Sequence, residues 1–357
     1  MVTAIVTGTG GQDGYFLVQR LLGEGATVHA CHNPANDPPT WDTAAGTLSV
    51  HALDVTSADA VRELVRGARP DEIYNFAAQS SVSRSFADPA LTWQVNAAAV
   101  ASMLETVRCH APEARYYQAS STDIFGFLPG ESVTHNENSA LFPQSPYAAA
   151  KAAAFLLCRV YRQGYGIRAV SGISSNHESH RRPGDFLSAK IARHVAALRA
   201  AGPAGRDTVP PLELGNLKSR RDWGYAPDFA LGALRILRQV PVRGELSGEP
   251  EDDIAANYRD YILGTGVMHS AWELADSAFR LGGFELDWRL GGADQARWGA
   301  SFRDSGRRAI VVNPDLMRPT DPLAIGTDPS RAIDELGWSP TRGLERFLRE
   351  MIESRDG

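Results

Sequence analysis

Residues 1–22 combine a short apolar strand, a glycine-rich turn and a helix, and this order constrains the fold more than any other feature. The strand reads Thr-Ala-Ile-Val-Thr, and the turn Gly-Thr-Gly-Gly-Gln-Asp-Gly follows it directly. In such a turn Gly8 permits the tight bend, Gly11 lets a diphosphate approach the backbone, and Gly14 lets the helix pack on the strand. The N-terminus of the helix then faces the phosphates. An ordinary glycine-containing turn is the alternative interpretation.

Strand and helix patterns alternate along the rest of the first half. Strand patterns lie at 26–30, 48–53, 72–76, 115–119 and 167–173, and helical patterns lie at 59–67, 93–109 and 147–163. This alternation predicts an α/β fold, a Rossmann-type doubly wound parallel sheet. Gly8, Asp54, Ala77, Ser121 and Asn176 each come just after a predicted strand. We therefore expect them along one rim of the sheet, where ligands bind in such folds.

A tyrosine and a lysine lie four residues apart in the helical pattern that begins at 147. Residues four apart share one face of a helix, so Tyr147 and Lys151 would point the same way. An ammonium near a phenol favours phenolate and lowers the pKa of the tyrosine, which suits a base that takes a proton from a sugar hydroxyl. The chain has only Lys151, Lys190 and Lys218 among 36 lysines and arginines, which argues against a generic surface charge. The same spacing also occurs by chance in many helices.

Composition excludes several classes of partner. A net charge of −6 and the absence of long basic runs argue against nucleic acid and against anionic membranes. Cys31, Cys109 and Cys158 are widely separated and show no metal-ligand spacing, so we expect no metal site and a reducing compartment. The sequence shows neither a signal peptide nor a membrane span. We therefore expect a soluble cytoplasmic protein.

Several longer motifs are shared with one known family. They are TGTGGQDG (7–14), IYNFAAQSSVSRSF (73–86), QASSTDIFG (118–126), SPYAAAK (145–151), NHESHRR (176–182), LGNLKSRRDWGYAPDF (214–229) and RPT (318–320). On these stretches the chain resembles the extended short-chain dehydrogenases/reductases and, within them, the GDP-mannose 4,6-dehydratases. The resemblance covers nearly the whole chain, and the motifs at 176–182 and 214–229 are its most specific parts.

The resemblance implies a reaction in three steps with four catalytic residues. Tyr147, assisted by Ser121 and Lys151, would take the proton of the C4 hydroxyl of a sugar while hydride passes to a nicotinamide. Asp123 would then take the C5 proton while water leaves from C6, and the hydride would return to C6. The implied product is a GDP-4-keto-6-deoxy sugar, made by a lyase that regenerates its cofactor.

The resemblance also implies binding residues and partners. The implied cofactor-binding residues are Gly8, Gly11, Gln12, Asp13, Gly14, Asp54, Val55, Ala77, Ala78, Gln79, Lys151, His177 and Arg182. The implied substrate-binding residues are Asn176, Lys190, Arg220, Arg318 and Asp321. The cofactor would be tightly bound NADP or NAD. The substrate would be a nucleotide-diphosphate sugar, either GDP-mannose or a related GDP-hexose or GDP-heptose.

We expect two structural parts. Residues 1–175 would form the NAD(P)-binding Rossmann domain, with returning segments near 218–240 and 258–266. Residues 176–357 would form mainly a smaller, C-terminal substrate-binding lobe. A homodimer or a homotetramer is expected.

Three departures from the family pattern leave alternatives open. Asp123 stands where the family usually has Glu, so a sugar-nucleotide 4-reductase or epimerase of the same fold is the main alternative. The segment 31–35 lacks the paired Arg expected for a 2'-phosphate, which leaves NAD and NADP both open. Asp321 also replaces a Glu. Arg221 and Asp222 could serve the site or form a structural ion pair.

Overall fold

A computed structural model of the chain describes residues 1–43, 45–127, 133–239, 258–292 and 297–354. The strands are β1 (Thr3–Thr7), β2 (Thr27–His32), β3 (Thr47–Ala52), β4 (Glu72–Asn75), β5 (Arg115–Ser121), β6 (Thr134–His135), β7 (Ala169–Ser174), β8 (Asn176–Glu178), β9 (Leu212–Leu214), β10 (Arg220–Tyr225), β11 (Tyr261–Leu263), β12 (Met268–Ser270), β13 (Leu286–Arg289), β14 (Gly299–Phe302), β15 (Arg308–Val312) and β16 (Ala324–Thr327). The helices are α1 (Gln12–Gly23), α2 (Ala58–Ala68), α3 (Val82–Ala87), α4 (Pro89–Trp93), α5 (Ala99–His110), α6 (Pro146–Tyr165), α7 (Leu187–Gly205), α8 (Ala226–Leu237), α9 (Ala271–Leu281), α10 (Ser330–Leu336) and α11 (Leu344–Glu353).

Within the described ranges, seven parallel strands form the main sheet, in the order β3-β2-β1-β4-β5-β7-β11. The predicted α/β doubly wound parallel sheet is confirmed. The chain winds outward from β1 in one direction through β2 and β3, and in the other through β4, β5 and β7. A switch point therefore lies between β1 and β4, and the glycine turn follows β1 at that point.

The main sheet is covered on both faces by helices. On one face, α1 and α8 pack on the sheet through buried residues such as Leu17, Phe229 and Leu234. On the other face, α2, α5 and α6 pack through residues such as Val65 and Leu104. Burial on both faces accounts for the nearly continuous apolar runs of the central strands. In the described residues, no helix combines the length and the hydropathy needed to cross a membrane.

In the described residues, the segment from β8 onward, together with the short strand β6, forms two smaller sheets and a separate hydrophobic cluster. The first sheet has the order β12-β10-β16-β6, with β8 also paired to β10, and the second has the order β13-β14-β15-β9. Helices α7, α9 and α11 pack with the second sheet around Phe279, Phe302 and Phe347. The returning strand β11 pairs with β7 in the main sheet. Residues 240–257, 293–296 and 355–357 of the predicted lobe lie outside the described residues.

A buried ion pair fastens the segment before β11 to the main sheet. The carboxylate of Asp260 accepts hydrogen bonds from Arg162 Nη2 at 2.8 Å, from Arg162 Nη1 at 3.1 Å and from the backbone N–H of Ser171 at 2.8 Å. The side chains of Arg162 and Asp260 are only 6% and 9% exposed. Loss of one partner would leave the other charge buried and unpaired.

We expect Asp260→Ala to lower the free energy of unfolding by about 3–5 kcal/mol, the usual cost of breaking a buried pair. The matched control is Asp287→Ala, which removes a partner of Arg303 from an ion pair whose side chains are 62% and 58% exposed. An exposed pair of this kind contributes about 1 kcal/mol or less. Urea unfolding of both variants measures the difference in free energy of unfolding. Equal destabilisation by the two substitutions would contradict the larger structural role of the buried pair.

Candidate active site

A cleft opens beyond the carboxyl ends of the main-sheet strands and is bounded on its other side by β8, β10 and the segment 315–321. Among the described residues, its lining includes eleven of the residues predicted from the sequence. These are Asp13, Ala78, Ser121, Asp123, Tyr147, Lys151, Asn176, His177, Arg182, Arg318 and Asp321. The other ten predicted residues do not line it: Gly8, Gly11, Gln12, Gly14, Asp54, Val55, Ala77, Gln79, Lys190 and Arg220. All four predicted catalytic residues therefore lie in one cleft.

The start of α6 places the tyrosine and the lysine. Ser145 caps the helix by accepting a hydrogen bond from the backbone N–H of Ala148 at 3.0 Å, and Pro146 occupies the first helical position. Tyr147 thus lies in the first turn, and Lys151 lies one turn later on the same side, as the spacing predicts. Lys151 Nζ is 6.0 Å from the centre of the Tyr147 ring and donates a hydrogen bond to Ala119 O at 2.8 Å.

The electrostatic environment of the phenol differs from the sequence-based expectation. Burial raises the pKa of Tyr147, and the negative charge of Asp123 raises it further. A hydrogen bond with Ser121 and the charge of Arg182 act in the opposite direction and are weaker. Burial also lowers the pKa of Lys151 to about 8, and Asp13 opposes this shift. The expectation from spacing took account of the Tyr147–Lys151 pair alone, whereas burial in the cleft decides whether the pKa of Tyr147 is raised or lowered.

The carboxylate of Asp123 is placed by a tight turn at the end of β5. Ser121 is the last residue of the strand, and its Oγ accepts a hydrogen bond from the backbone N–H of Asp123 at 3.2 Å. A 3₁₀ turn over Thr122–Ile124 then directs Asp123 into the cleft. The same side chain lies close enough to the Tyr147 phenol to lower its pKa. One serine therefore connects the phenol to the turn that holds the carboxylate.

The glycine turn divides into packed and open positions. Gly8 has a φ of +70°, and a Cβ there would lie 2.6 Å from the backbone N of Ala77. A Cβ at Gly14 would lie 2.7 Å from Gly8 O, whereas one at Gly11 would meet only Gly8 O at 3.3 Å and one at Gly10 no atom within 4 Å. In the described part of the chain, no side chain caps α1 at Gly11. The open space above uncapped N–H groups fits a dinucleotide diphosphate.

The residues that follow the glycine turn are joined to the motif at 176–182. Gln12 Nε2 donates to His177 O at 2.6 Å, and Gln12 Oε1 accepts from Ser179 Oγ at 2.9 Å. His177 Nε2 lies 2.9 Å from Asp13 Oδ2. The charge and hydrogen bond of Asp13 outweigh the effect of burial and raise the pKa of His177. Two motifs that are distant in sequence thus form one wall of the cleft.

The predicted cofactor contacts after β3 and β4 have partners within the protein. Asp54 Oδ1 accepts from the backbone N–H of Thr56 at 2.9 Å and from its hydroxyl at 2.7 Å. The side chain of Gln79 exchanges hydrogen bonds with the backbone of Ser81 and donates to Thr92 Oγ1. Both residues stabilise local turns in the structure, and their roles toward a cofactor stay predictions, as do those of Val55 and Ala77.

The two adjacent arginines of β10 face opposite sides. Arg220 is exposed and donates to Met268 O at 3.3 Å, away from the cleft. Arg221 is buried, lines the cleft, and donates from Nη2 to Asp321 Oδ1 at 2.9 Å. Successive side chains of a strand alternate between its faces, so only one of the pair can serve the cleft. The family resemblance implied Arg220, and its role toward a substrate stays a prediction.

The ion pair considered for Arg221 has a different partner in the structure. Arg221 pairs with Asp321, while Asp222 accepts hydrogen bonds from the backbone N–H groups of Thr265 and Gly266. Arg318 Nη1 also lies 3.6 Å from Asp321 Oδ1, so the cleft presents two arginines around one carboxylate.

Lys190 lies on α7, away from the cleft lining. Its backbone N–H donates to Phe186 O at 2.8 Å, and burial lowers the pKa of its side chain. The structure therefore does not bring it to the cleft beside Asn176, and its role toward a substrate stays a prediction.

Comparison with known proteins identifies the family. The family described as GDP-mannose 4,6 dehydratase matches residues 5–351. This chain belongs to the GDP-mannose 4,6-dehydratase family. The resemblance drawn from the motifs is confirmed. Among curated members, the GDP-mannose 4,6-dehydratase of Vibrio cholerae serotype O1 is 32% identical, over 98% of this chain and 92% of that protein.

Solved structures share the fold of this GDP-mannose 4,6-dehydratase family member. The complex of Thermus thermophilus UDP-glucose 4-epimerase with NAD has a TM-score of 0.76 and 24% identity, over 99% of both chains. The Pseudomonas aeruginosa protein RMD complexed with NADPH has a TM-score of 0.72 and 20% identity, over 100% of this chain and 99% of the other. At these identities the comparison establishes the architecture alone.

Proposed function

We propose that the protein is an NAD(P)-dependent GDP-sugar 4,6-dehydratase that converts GDP-mannose, or a related GDP-hexose or GDP-heptose, to the GDP-4-keto-6-deoxy sugar. The position of Asp123 carries the proposal. Its carboxylate lies in the same cleft as Tyr147 and close enough to affect the pKa of that phenol. An elimination at C5 and C6 needs a second base beside the group that acts at C4. Family membership supports the same activity.

The two parts of the fold would divide the ligands between them. The main sheet, with the open glycine turn at its switch point, would hold the dinucleotide. The part that begins at 176 would hold the nucleotide sugar, with Asn176 and Arg318 at the cleft wall. The cytoplasmic location and the dimeric or tetrameric state remain predictions of the sequence.

Oxidation at C4 would use Tyr147 and its two neighbours. When bound, oxidised NAD(P) supplies a positively charged ring that accepts hydride from C4 and returns it to C6. Burial and Asp123 keep the proton on Tyr147 at neutral pH until positive charge is added beside it. Once that charge is bound, the phenol would release its proton to the solvent, and the resulting phenolate would take the C4 hydroxyl proton. Lys151 holds an ammonium on the same side, and Ser121 hydrogen-bonds with the phenol.

Elimination of water would use Asp123. The C4 ketone acidifies the proton at C5, and the carboxylate would accept that proton and pass it to the C6 hydroxyl, which leaves as water. When hydride returns to C6, C5 would take a proton from the solvent. Asp has one methylene fewer than Glu, so the sugar must lie nearer to the end of β5 than a longer side chain would require. The Ser121 hydroxyl that caps the Asp123 N–H fixes the backbone at this point.

The diphosphate of the nucleotide sugar would meet Arg318 and Arg221. Both guanidinium groups line the cleft, and a diphosphate needs fixed cations with planar donor geometry. The side chain of Arg318 is 36% exposed, whereas that of Arg221 is 9% exposed. Arg318 is therefore free to turn toward a ligand, while Asp321 holds Arg221 in place.

Replacement of Gly11 by Ala tests the cofactor site without disturbing the fold. The added Cβ would lie 3.3 Å from Gly8 O, a tight contact that needs a small shift of the turn, so we expect the free energy of unfolding to fall by about 1 kcal/mol. We expect the Kd for NAD and NADP to rise at least about tenfold, because a charged hydrogen bond contributes about 1.5–3 kcal/mol. Calorimetric titration and thermal unfolding measure the two effects.

The control for this substitution is Gly67→Ala on α2, where an added Cβ meets no atom within 4 Å. It should leave the Kd unchanged. An unchanged Kd in the Gly11→Ala protein would contradict a diphosphate above this turn.

The proposed function is tested by incubating the protein with GDP-mannose in D2O, with NAD or NADP, and following the sugar by NMR. A 4-keto-6-deoxy product that carries deuterium at C5 supports the dehydratase. A C4 epimer or a C4-reduced sugar would assign the protein to the epimerase or reductase alternative. An unchanged sugar with both cofactors would exclude GDP-mannose and lead to a GDP-heptose as the next substrate.

A further inference from the structure

A second cavity lies at the edge of the main sheet, beside the last strand in its order, β11. Among the described residues, its walls come from α6, from the segment 137–141, from residues 258–260 and from α10. The cavity has a volume of about 430 Å³, which is in the usual range for small-molecule sites. None of its described lining residues also lines the active-site cleft. It is therefore a cavity separate from the proposed active site.

The two carboxylates of this lining already have partners. Both oxygens of Asp260 accept hydrogen bonds from Arg162. Glu137 Oε1 accepts from the backbone N–H of Ile262 at 2.8 Å, and Glu137 Oε2 lies 3.6 Å from Arg331 Nε. The side chains of Glu137 and Asp260 are only 5% and 9% exposed. A cation would find no unpaired carboxylate oxygen in the described part of this cavity.

The cationic side chains of the lining are in excess. In the described residues, four arginines line the cavity: Arg159, Arg162, Arg259 and Arg331. The last three pair with Asp260, Glu335 and Glu137, respectively. Arg159 is exposed, and it makes no ion pair with any other described residue. Its guanidinium lies 5.9 Å from the centre of the Phe155 ring. One positive charge is thus left unbalanced at this cavity.

Tyr258 supplies a second donor without a partner. The residue lines the cavity and is 6% exposed. Its hydroxyl makes no hydrogen bond with any other residue that the structure describes. A tyrosine buried to this extent normally finds a partner for its O–H group. An acceptor bound in the cavity would provide one.

Guanidinium and phenol donors around an apolar floor favour an organic phosphate. A guanidinium stays protonated and donates two parallel hydrogen bonds to phosphate oxygens. Phe125, Leu141 and Phe155 supply the floor. A free phosphate ion would leave that floor and most of the volume unfilled, whereas the sugar or the base of a phosphate monoester would cover them.

We propose that this cavity is a second ligand site of the protein, which binds the phosphate monoester of a sugar or of a nucleoside. Arg159 is the cation that holds the phosphate, and the Tyr258 hydroxyl donates a further hydrogen bond. The organic part of the ligand lies against Phe125 and Phe155. Because these residues do not line the active-site cleft, binding here requires neither the dinucleotide nor the GDP-sugar.

Calorimetric titration of the full chain tests the site with inorganic phosphate, ribose 5-phosphate and uridine 5'-monophosphate. Uracil is absent from both proposed ligands of the active-site cleft, which limits binding there. We expect at least one of the two esters to bind at one site per chain with a Kd of about 1 mM or lower. Inorganic phosphate should bind at least about tenfold more weakly, because it cannot cover the apolar floor. Tighter binding of the uridine ester would show that the base is recognised, and equal binding of both esters would show that the sugar phosphate suffices.

Two substitutions locate the bound phosphate. We expect Arg159→Gln to raise the Kd of the ester at least about tenfold, because a charged hydrogen bond is lost. Tyr258→Phe keeps the buried ring and should raise the Kd about threefold, the effect of one neutral hydrogen bond. Arg66→Gln, which replaces an exposed arginine on α2, is the matched control and should leave the Kd unchanged. Thermal unfolding checks that each variant keeps its fold.

Three results would overturn the proposal. The first is the absence of saturation by either ester at about 10 mM. The second is equal affinity for inorganic phosphate and for both esters, which would show an adventitious ion only. The third is a loss of ester binding in Arg318→Gln but not in Arg159→Gln, which would place the phosphate in the active-site cleft.

Discussion

Replacement of Asp123 by Asn is expected to abolish deuterium incorporation at C5 and to lower formation of the 4-keto-6-deoxy sugar by about a thousandfold. The amide keeps the size of the carboxylate but cannot accept the C5 proton. Positioned bases contribute about 10²–10⁴ in rate. Cofactor binding and C4 oxidation should persist, because Tyr147, Ser121 and Lys151 are unchanged. Reduced cofactor should therefore accumulate at 340 nm in the presence of the sugar.

The position of Asp123 makes this variant interpretable. The residue is held by backbone hydrogen bonding to Ser121 Oγ, which the substitution does not touch. Asp334→Asn, an exposed acid on α10, is the matched control and should keep full activity. Asp123→Glu keeps a carboxylate at the same turn, so it should still exchange the C5 proton, but more slowly because the longer side chain displaces the carboxylate. Solvent deuterium at C5 in the product of Asp123→Asn would overturn the assignment of the base.

Replacement of Tyr147 by Phe is expected to stop hydride transfer at its first step, with a loss of about a thousandfold or more. This corresponds to about 4 kcal/mol of transition-state stabilisation. The phenol is buried, and its hydroxyl interacts with Ser121, so Phe fills the same space without the proton acceptor. Stopped-flow absorbance at 340 nm with the sugar substrate measures the step, and no reduced cofactor should form.

The control lies on the same helix. Tyr165→Phe removes a phenol that is 57% exposed at the far end of α6 and should leave the rate unchanged. The fold of Tyr147→Phe is checked by thermal unfolding, since Ser121 Oγ keeps its bond to the Asp123 N–H. Reduction of the cofactor at the wild-type rate in Tyr147→Phe would show that another group accepts the proton of the C4 hydroxyl.

The fold class was predictable because its signals are local. Each strand pattern of the first half, with the glycine turn and the helices between, can be recognised in a window of a few residues. Strand β11 was expected to return to the main sheet, and it pairs with β7. The pairings among β6, β8, β10, β12 and β16 were not predictable, because short strands that are distant in sequence carry no pairing signal.

The catalytic cluster was predictable for a related reason. Parallel strands end on one rim, so Ser121 after β5 was expected there, and the family resemblance implied that Asp123, Tyr147 and Lys151 lie with it. The hydrogen bonds that Asp54 and Gln79 make within their own turns could not be predicted, because local hydrogen bonds of this kind depend on backbone conformation.

The sequence by itself determined the family, the doubly wound sheet and the residue types of the cleft, because these follow from local patterns and shared motifs. Only the tertiary structure decided which arginine of β10 enters the cleft, since one residue of register exchanges the two faces of a strand. It also decided the direction of the Tyr147 pKa and the pairing of His177 with Asp13. Desolvation and long-range charge depend on everything packed around a group, and no local segment of sequence contains that information.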